Sequence, residues 1–159
     1  MAVRDILIDP HPILREQCAE VTDFGEPCAD LLRDLCDTLA ASGAIGLSAP
    51  QIGAAQRIVA VHVPDDGRGL CVYTNPELIR KRGLAIIEES CLSVPGVEAP
   101  VMRSAQVLIR YRDENGDEAE TEVDGLHAVC LQHEMDHLEG KLFTDRLSWW
   151  RRRRLRRAA

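Results

Sequence analysis

The most constraining feature of this sequence is a pair of histidines four residues apart, His133 and His137, with Glu134 directly after the first. In an α-helix this spacing brings both imidazoles to one face, one turn apart, where both can bind the same metal ion. The carboxylate of Glu134 projects beside them and can act on a water bound to that ion. The segment therefore predicts a helix that carries two ligands of a metal-dependent hydrolase site.

A catalytic metal site of this kind needs a third protein ligand. Gly140 extends the likeness to the long zinc-protease motif, but Phe143 stands where that motif has its third histidine. Cys130 precedes His137 by seven residues, and a rise of about 1.5 Å per residue puts it roughly 10 Å away along the helix axis. Because that is too far for one ion, the third ligand must come from another part of the chain.

Cys91 is the best candidate for this ligand. It follows an apolar strand and lies in segment 88–96 among acidic and hydroxyl side chains. A lone cysteine is more often a core thiol than a ligand, but the position left open beside His133 and His137 favours ligation. A thiolate and two imidazoles form an open site that suits zinc or iron.

Composition indicates one globular domain. The chain has 159 residues, of which 45% are hydrophobic and 28% are charged. No run approaches the length of a membrane span, and residues 1–5 lack the apolar core of a signal peptide, so we expect a cytoplasmic protein. Six cysteines without a Cys-x-x-Cys pair do not imply disulfides in that compartment, and most of them are expected to be small buried thiols.

Charge is divided unevenly along the chain. Residues 1–145 contain all 26 acidic side chains and carry a formal charge of −14, whereas the last fourteen residues carry +7. We expect a catalytic domain over residues 1–147 and a basic tail over residues 148–159. Two interpretations of the tail are open at this point: contact with nucleic-acid phosphates, or a solvated terminal helix whose tryptophans pack on the body.

Periodicity and turn signals predict an α+β fold that is mostly antiparallel sheet in the middle of the chain. One helix is expected from Glu26 to Ser42, and a second over residues 126–139, with Gly140 just past its end. A hairpin turn is expected at Asn115-Gly116, and Asn75-Pro76 is expected to end a strand. The predicted strands are residues 57–63, 70–74, 84–89, 107–112 and a return strand through Val123.

Three segments, in the same order, resemble the motifs of the peptide deformylases, and the resemblance covers essentially the whole chain. Residues 44–51 correspond to the family pattern Gly-x-Gly-x-Ala-Ala-x-Gln, residues 89–93 to Glu-Gly-Cys-Leu-Ser, and residues 133–138 to His-Glu-x-Asp-His-Leu. The departures from the family pattern are Ala44, Ser48 and Ser90, which replace a glycine, an alanine and a glycine.

The resemblance implies an α+β enzyme whose antiparallel sheets pack around a central helix bearing the His-Glu-x-x-His motif, with an N-terminal helix and a C-terminal helical tail. It implies removal of the formyl group from N-formylmethionyl nascent peptides, with release of formate. Cys91, His133 and His137 would hold one divalent metal ion. Fe²⁺ is expected natively, while Zn²⁺, Ni²⁺ or Co²⁺ also suit the isolated protein.

The resemblance also assigns roles to individual residues. Glu134 would be the general base, and the side chain of Gln51 with the backbone N–H of Leu92 would stabilise the oxyanion. A pair between Glu89 and Arg103 would fix the cysteine loop. The residues expected to line the substrate cleft and its apolar slot for methionine are Ile45, Gly46, Ile87, Ser90, Leu126, Val129 and Cys130.

Two alternatives stay open on the sequence alone. Ser90 and Ala44 are compatible with a deformylase-like paralogue of altered substrate or weak activity, because a side chain at position 90 can narrow the cleft or strain a backbone of positive φ. A zinc-dependent endopeptidase is disfavoured by Cys91 and by the missing third histidine. We expect a monomer whose basic tail contacts ribosomal RNA near the peptide exit.

Overall fold

The computed structural model describes residues 2–158, with side chains through residue 155. The α+β class and the antiparallel sheets expected from the sequence are confirmed. The elements are α1 Glu26–Ser42, β1 Gly46–Ser48, β2 Ile58–Val61, β3 Cys71–Arg82, β4 Ala85–Cys91, β5 Val94–Arg103, β6 Gln106–Arg112, β7 Glu118–Asp124, α2 Gly125–Leu138 and α3 Trp149–Ala158.

Two antiparallel sheets surround the helix α2. The larger has the strand order β1-β2-β3-β6-β7, and the smaller pairs β4 with β5. The helix packs against β1, β2, β6 and β7 of the larger sheet and against β4 of the smaller one. Eleven of its fourteen residues are buried, and many of them are polar. Since buried polar groups need partners, each polar side chain of α2 has a structural or chemical reason to be there.

The strand β2 is buried on both faces and separates two apolar cores. Val59 and Val61 face the core that contains α2, whereas Ile58 and Ala60 face the core that contains α1. This alternation follows from the two-residue period of a strand. Since β1 is paired with β2 and continues into residues 49–52, the two cores hold that segment rigidly beside α2.

The prediction that a strand ends at Asn75-Pro76 is wrong, because β3 continues to Arg82. A β-bulge between Thr74 and Glu77 accommodates both residues. Asn75 has a φ of +50°, and its side chain pairs with the backbone N–H and C=O of Val21 over 2.8 and 2.9 Å. A proline is tolerated where a bulge interrupts the hydrogen-bond ladder.

The strand β5 had no counterpart in the predictions. Pro95, Gly96 and Pro100 interrupt its pattern and indicate a loop by sequence. The strand nevertheless pairs with β4 from Ala85 opposite Arg103 to Ser90 opposite Glu98. Prolines fit here because β5 has a neighbour on one side only, and the other edge needs no N–H donor.

The C-terminal helix α3 lies against the smaller sheet. Leu155 packs on a cluster that includes Val101, Phe143 and Leu147. The tryptophans do not pack on the body, because Trp149 and Trp150 are 53% and 71% exposed and their rings contact each other at 4.7 Å. Across residues 2–158, no helix combines the length and apolar character needed to cross a membrane.

Candidate active site

Three side chains meet where the middle of α2 faces the end of β4. The potential ligand atoms of Cys91, His133 and His137 all lie within 4.8 Å of one another, and all three residues are buried. Sγ of Cys91 is 3.5 Å from Nε2 of His137. Tetrahedral bonds of about 2.0–2.3 Å put two ligand atoms roughly 3.3–3.6 Å apart, so this spacing fits one ion. The donor set, one thiolate and two imidazoles, is suited to zinc or iron.

A chain of buried ion pairs orients one of these histidines. Nδ1 of His133 lies 2.8 Å from Oε1 of Glu89, which leaves Nε2 free for a metal. Arg103 donates to both oxygens of Glu89 over 2.6 and 2.8 Å and to Asp136 over 2.9 Å. Asp136 also accepts two hydrogen bonds from Arg146, of 2.6 and 2.7 Å. Carboxylates that hold the second nitrogen of a ligating histidine fix its orientation and raise its basicity.

These contacts set the charges around the cluster. Burial alone would raise the pKa of Glu89, but hydrogen bonds from Arg103 and His133 hold it below its usual range. For His137, burial and the neighbouring His133 lower the pKa to about 3, so its imidazole is neutral. Burial also opposes protonation of His133, but hydrogen bonds with Cys91 and Glu89 outweigh it and raise the pKa to about 10. The neutral His137 is therefore ready to bind a metal ion, whereas His133 would release its Nε2 proton when it binds one.

Glu134 lies beside the cluster without being part of it. Its carboxylate is buried, Oε1 is 4.0 Å from Nε2 of His133, and Oε2 has no hydrogen-bond partner among the described residues. Burial raises the pKa of this carboxyl to about 7. A group with a pKa near neutrality both takes and returns a proton readily, which is the requirement for a general base that later acts as an acid.

Gln51 is held next to the cysteine by two serines. Its Oε1 accepts hydrogen bonds from the backbone N–H and the hydroxyl of Ser48, each of 2.9 Å. Its Nε2 lies 3.1 Å from the hydroxyl of Ser93 and 3.7 Å from Sγ of Cys91. Because Ser48 fixes which way the amide faces, the N–H₂ group points toward the cluster. Ser48 stands where the family pattern has an alanine, so its hydroxyl adds a hydrogen bond to this amide.

A cavity of about 620 Å³ opens beside the cluster. It is bounded by the segment before and within β1, by β4 and the residues that follow it, and by α2. His137 is buried and does not line it. All the other site residues expected from the sequence line this cavity: Ile45, Gly46, Gln51, Ile87, Ser90, Cys91, Leu92, Leu126, Val129, Cys130, His133 and Glu134.

Gly46 brings the backbone of β1 directly against α2. A Cβ at this position would lie 2.5 Å from Sγ of Cys130 and 2.8 Å from Oε1 of Glu134. Both distances are shorter than a normal contact, so glycine is the residue that fits here without displacing Cys130 or Glu134. Cys130 itself stays outside the ligand cluster, as helix geometry predicted, and burial raises the pKa of its thiol.

Ser90 does not strain the backbone. It lies in an extended strand opposite Glu98, and it is not among the residues of positive φ. Its side chain is exposed at the cavity. The strain that a glycine-to-serine change can cause is therefore absent here.

Several residues of the site were not predicted from the sequence. Phe143, noted only as the missing histidine, stacks on His133 with a centroid distance of 5.8 Å. Ser93 holds Gln51, and Asp136 joins Arg103 to Arg146. A signal was available for two of them, because Ser93 and Asp136 are part of the family motifs in residues 89–93 and 133–138.

The fold and the site together define a metal-dependent hydrolase. The family model for polypeptide deformylases matches residues 3–153. A peptide deformylase of Alkalilimnicola ehrlichii is 42% identical over 158 residues, spanning 99% of this chain and 89% of that protein. The chain belongs to the polypeptide deformylase family.

Solved structures show the same similarity. A peptide deformylase from Legionella pneumophila superposes with a TM-score of 0.92 at 40% identity, over 98% of this chain and 92% of that one. A peptide deformylase from Synechococcus elongatus, solved in complex with actinonin, has a TM-score of 0.85 at 34% identity, over 91% of this chain and 79% of that one.

Proposed function

We propose that this chain hydrolyses the N-formyl group of N-formylmethionyl nascent peptides and releases formate and a free amino terminus. The observation that carries this proposal is the cavity beside Cys91, His133 and Glu134, part of whose wall is apolar, in a chain of the deformylase family. The cavity connects buried residues of the site, Cys91, His133 and Glu134, with residues that are exposed to solvent. We infer that the formyl end of a peptide enters it from solvent.

We propose that Cys91, His133 and His137 hold one divalent metal ion, Fe²⁺ in the native protein. When bound, such an ion lowers the pKa of a water molecule toward neutrality and polarises a carbonyl group. Anaerobic purification with metal analysis, followed by reconstitution with Fe²⁺, Zn²⁺, Ni²⁺ and Co²⁺, tests the assignment. Iron in the purified protein and the highest turnover with Fe²⁺ are expected, and equal turnover with Zn²⁺ would contradict it.

The other residues of the site would transfer the proton, stabilise the negative charge and bind the substrate. Glu134 accepts a proton from the attacking water and passes it to the leaving amine. Nε2 of Gln51 and the backbone N–H of Leu92 donate hydrogen bonds to the oxygen that gains negative charge. The methionine side chain of the substrate enters the apolar slot lined by Ile45, Ile87, Leu126, Val129 and Cys130, with Gly46 and Ser90 beside the peptide backbone.

One assay separates deformylation from the alternatives. Formate release from formyl-Met-Ala-Ser is measured beside hydrolysis of acetyl-Met-Ala-Ser, cleavage of casein, and a metal-chelated control. Rapid release from the formyl peptide alone is expected, with inhibition by actinonin, which the Synechococcus elongatus protein binds. Casein cleavage would support an endopeptidase, and turnover of the acetyl peptide at a comparable rate would support a paralogue of altered substrate.

We further propose that residues 1–147 form the catalytic domain and that the tail, residues 148–159, contacts ribosomal RNA in the cytoplasm. Helix α3 carries exposed arginines beside two exposed tryptophans, with Arg153 5.0 Å above the ring of Trp149. Arginines bind phosphates, and tryptophan rings stack on unpaired bases. A monomeric enzyme held there would meet formylated amino termini as they emerge.

Co-sedimentation with ribosomes tests the tail. The intact chain is compared with a chain that ends at Ser148 and with a variant in which Arg151, Arg152 and Arg154 are glutamine. Binding that weakens steeply with salt, and that is lost in both variants, is expected. Unchanged co-sedimentation of both variants at low salt would remove the proposal.

A further inference from the structure

Three hydrogen-bonded polar side chains, two of them buried and Asp66 half-buried, meet at the first turn of α2, apart from the candidate metal ligands. Nδ1 of His127 lies 2.9 Å from Oδ2 of Asp66, and Nε2 lies 2.8 Å from the hydroxyl of Tyr73. The histidine and the tyrosine are 2% and 3% exposed. None of these groups lines the cavity, and none takes part in the hydrolysis proposed above.

Asp66 and Tyr73, on either side of His127, determine which groups donate in these hydrogen bonds. Asp66 also accepts a hydrogen bond of 2.8 Å from the backbone N–H of Arg68, and this contact, together with His127, lowers the pKa of its carboxyl. An ionised carboxylate only accepts hydrogen bonds, so Nδ1 of His127 donates to Asp66, and the geometry lets the hydroxyl of Tyr73 donate to Nε2. Burial raises the pKa of Tyr73, which keeps its hydroxyl protonated as the donor.

The first turn of α2 has no side-chain cap, although the backbone N–H of Gly125 donates to the carbonyl of Ala105 over 3.1 Å. The helix begins at Gly125, which has a φ of +57°, and the side chain of Asp124 makes no capping hydrogen bond. A helix without a side-chain cap leaves its first N–H groups without that support. His127 instead ties this turn to β3 through Tyr73 and to the loop before β3 through Asp66.

The same turn supplies part of the cavity wall. Leu126 precedes His127 directly and is 41% exposed toward solvent, and Val129 follows one turn later. His133 and Glu134 lie about two turns further along the helix, where both sheets enclose it. A displacement of the first turn would therefore move the cavity wall and leave the reacting groups in place.

We propose that His127 is a positioning residue: with Asp66 and Tyr73 it fixes the first turn of α2 and so shapes the wall that receives the substrate's methionine side chain. This proposal rests on the proposed deformylase function. It predicts that the chain of hydrogen bonds sets KM and discrimination between substrate side chains, with little effect on kcat.

The test uses the metal-loaded enzyme with Tyr73→Phe, which removes one hydroxyl and keeps the ring packed on Tyr111 at 4.8 Å, and with His127→Leu. We expect KM for formyl-Met-Ala-Ser to rise about 5- to 10-fold, with kcat changed by less than about twofold. Amide hydrogen exchange over residues 126–130 should speed up in both variants. The double variant should raise KM no more than the larger of the two single effects, because both substitutions interrupt the same series of hydrogen bonds.

Thr38→Val is the matched control. Thr38 is 1% exposed in α1, accepts a hydrogen bond of 2.9 Å from the backbone N–H of Arg4 and donates one of 2.6 Å to the carbonyl of Asp34, away from the cavity. It should lower Tm without changing KM or exchange in α2. If His127→Leu also lowered Tm and left KM and hydrogen exchange in α2 unchanged, the positioning role would be wrong.

The proposed function can fail separately. If the unsubstituted enzyme released no formate, the proposed function would be wrong, while hydrogen exchange over residues 126–130 would still show whether His127 fixes the first turn of α2.

Discussion

Nδ1 of His133 donates to Oε1 of Glu89 across 2.8 Å, so a carboxylate from β4 fixes the ring of a candidate metal ligand on α2. Glu89 is held in turn by two hydrogen bonds from Arg103, whose side chain is almost completely buried. The ligand and its support thus come from separate elements, and the small sheet orients the helix's histidine. We therefore expect metal affinity to depend on a residue that is not itself a candidate ligand.

Replacing Glu89, which holds the ring of His133, should weaken metal binding. In Glu89→Gln the charge that balances Arg103 is lost, and His133 loses its charged acceptor. We expect metal affinity to fall by about 10- to 100-fold, measured by competition with a chromophoric chelator. Glu98→Gln is the matched control, because Glu98 is exposed on the neighbouring strand. Equal affinities for the two variants would show that Glu89 does not support the metal site.

Glu134→Ala should separate catalysis from structure. Removal of the general base is expected to lower kcat for formyl-Met-Ala-Ser by about 10²- to 10⁴-fold. Metal content should be unchanged, because the ligand cluster does not include Glu134. The variant should also keep or gain thermal stability, since the carboxylate it removes is buried and Oε2 lacks a partner among the described residues. Near-normal turnover in this variant would show that another group moves the proton.

Gly46→Ala should disable the site by crowding. The added methyl group would lie against Sγ of Cys130 and Oε1 of Glu134, and relief requires one of them to move. We expect a loss of about 1–3 kcal/mol in the free energy of unfolding and a large fall in kcat. The double variant Gly46→Ala with Cys130→Ala removes one of the two clashes and should recover part of the stability. No change in stability for Gly46→Ala would mean that β1 shifts away from α2 easily.

The parts of the site that the sequence predicted are those in which chemistry is encoded locally. His133 and His137 are one helical turn apart by spacing alone, and Cys91 could be selected because two imidazoles require a third ligand. The contact between Glu89 and His133 joins residues 44 positions apart, and its geometry depends on how β4 packs on α2. Spacing along the chain does not contain that information.

The same limit applies to the remaining differences between prediction and structure. His127 attracted no prediction, because a histidine near the start of a helix gives no local sign of Asp66, 61 positions earlier. Asn75-Pro76 indicated a strand end. The strand continues, however, and the side chain of Asn75 forms hydrogen bonds with the backbone N–H and C=O of Val21. In both cases a side chain from a distant segment supplies the partner that local propensity cannot anticipate.

Ser90→Gly tests whether the departure from the family pattern matters. Because Ser90 has an extended backbone, restoring glycine should only add freedom to the unfolded chain and cost about 0.5–1 kcal/mol of stability, measured by urea denaturation. KM for formyl-Met-Ala-Ser should change by less than about threefold, because the side chain is exposed at the cavity rather than buried within it. A large fall in KM would show that Ser90 narrows the cleft. A gain in stability would show that Ser90 is strained. An unchanged KM with a small loss of stability would assign Ser90 to a neutral variation within an ordinary deformylase site.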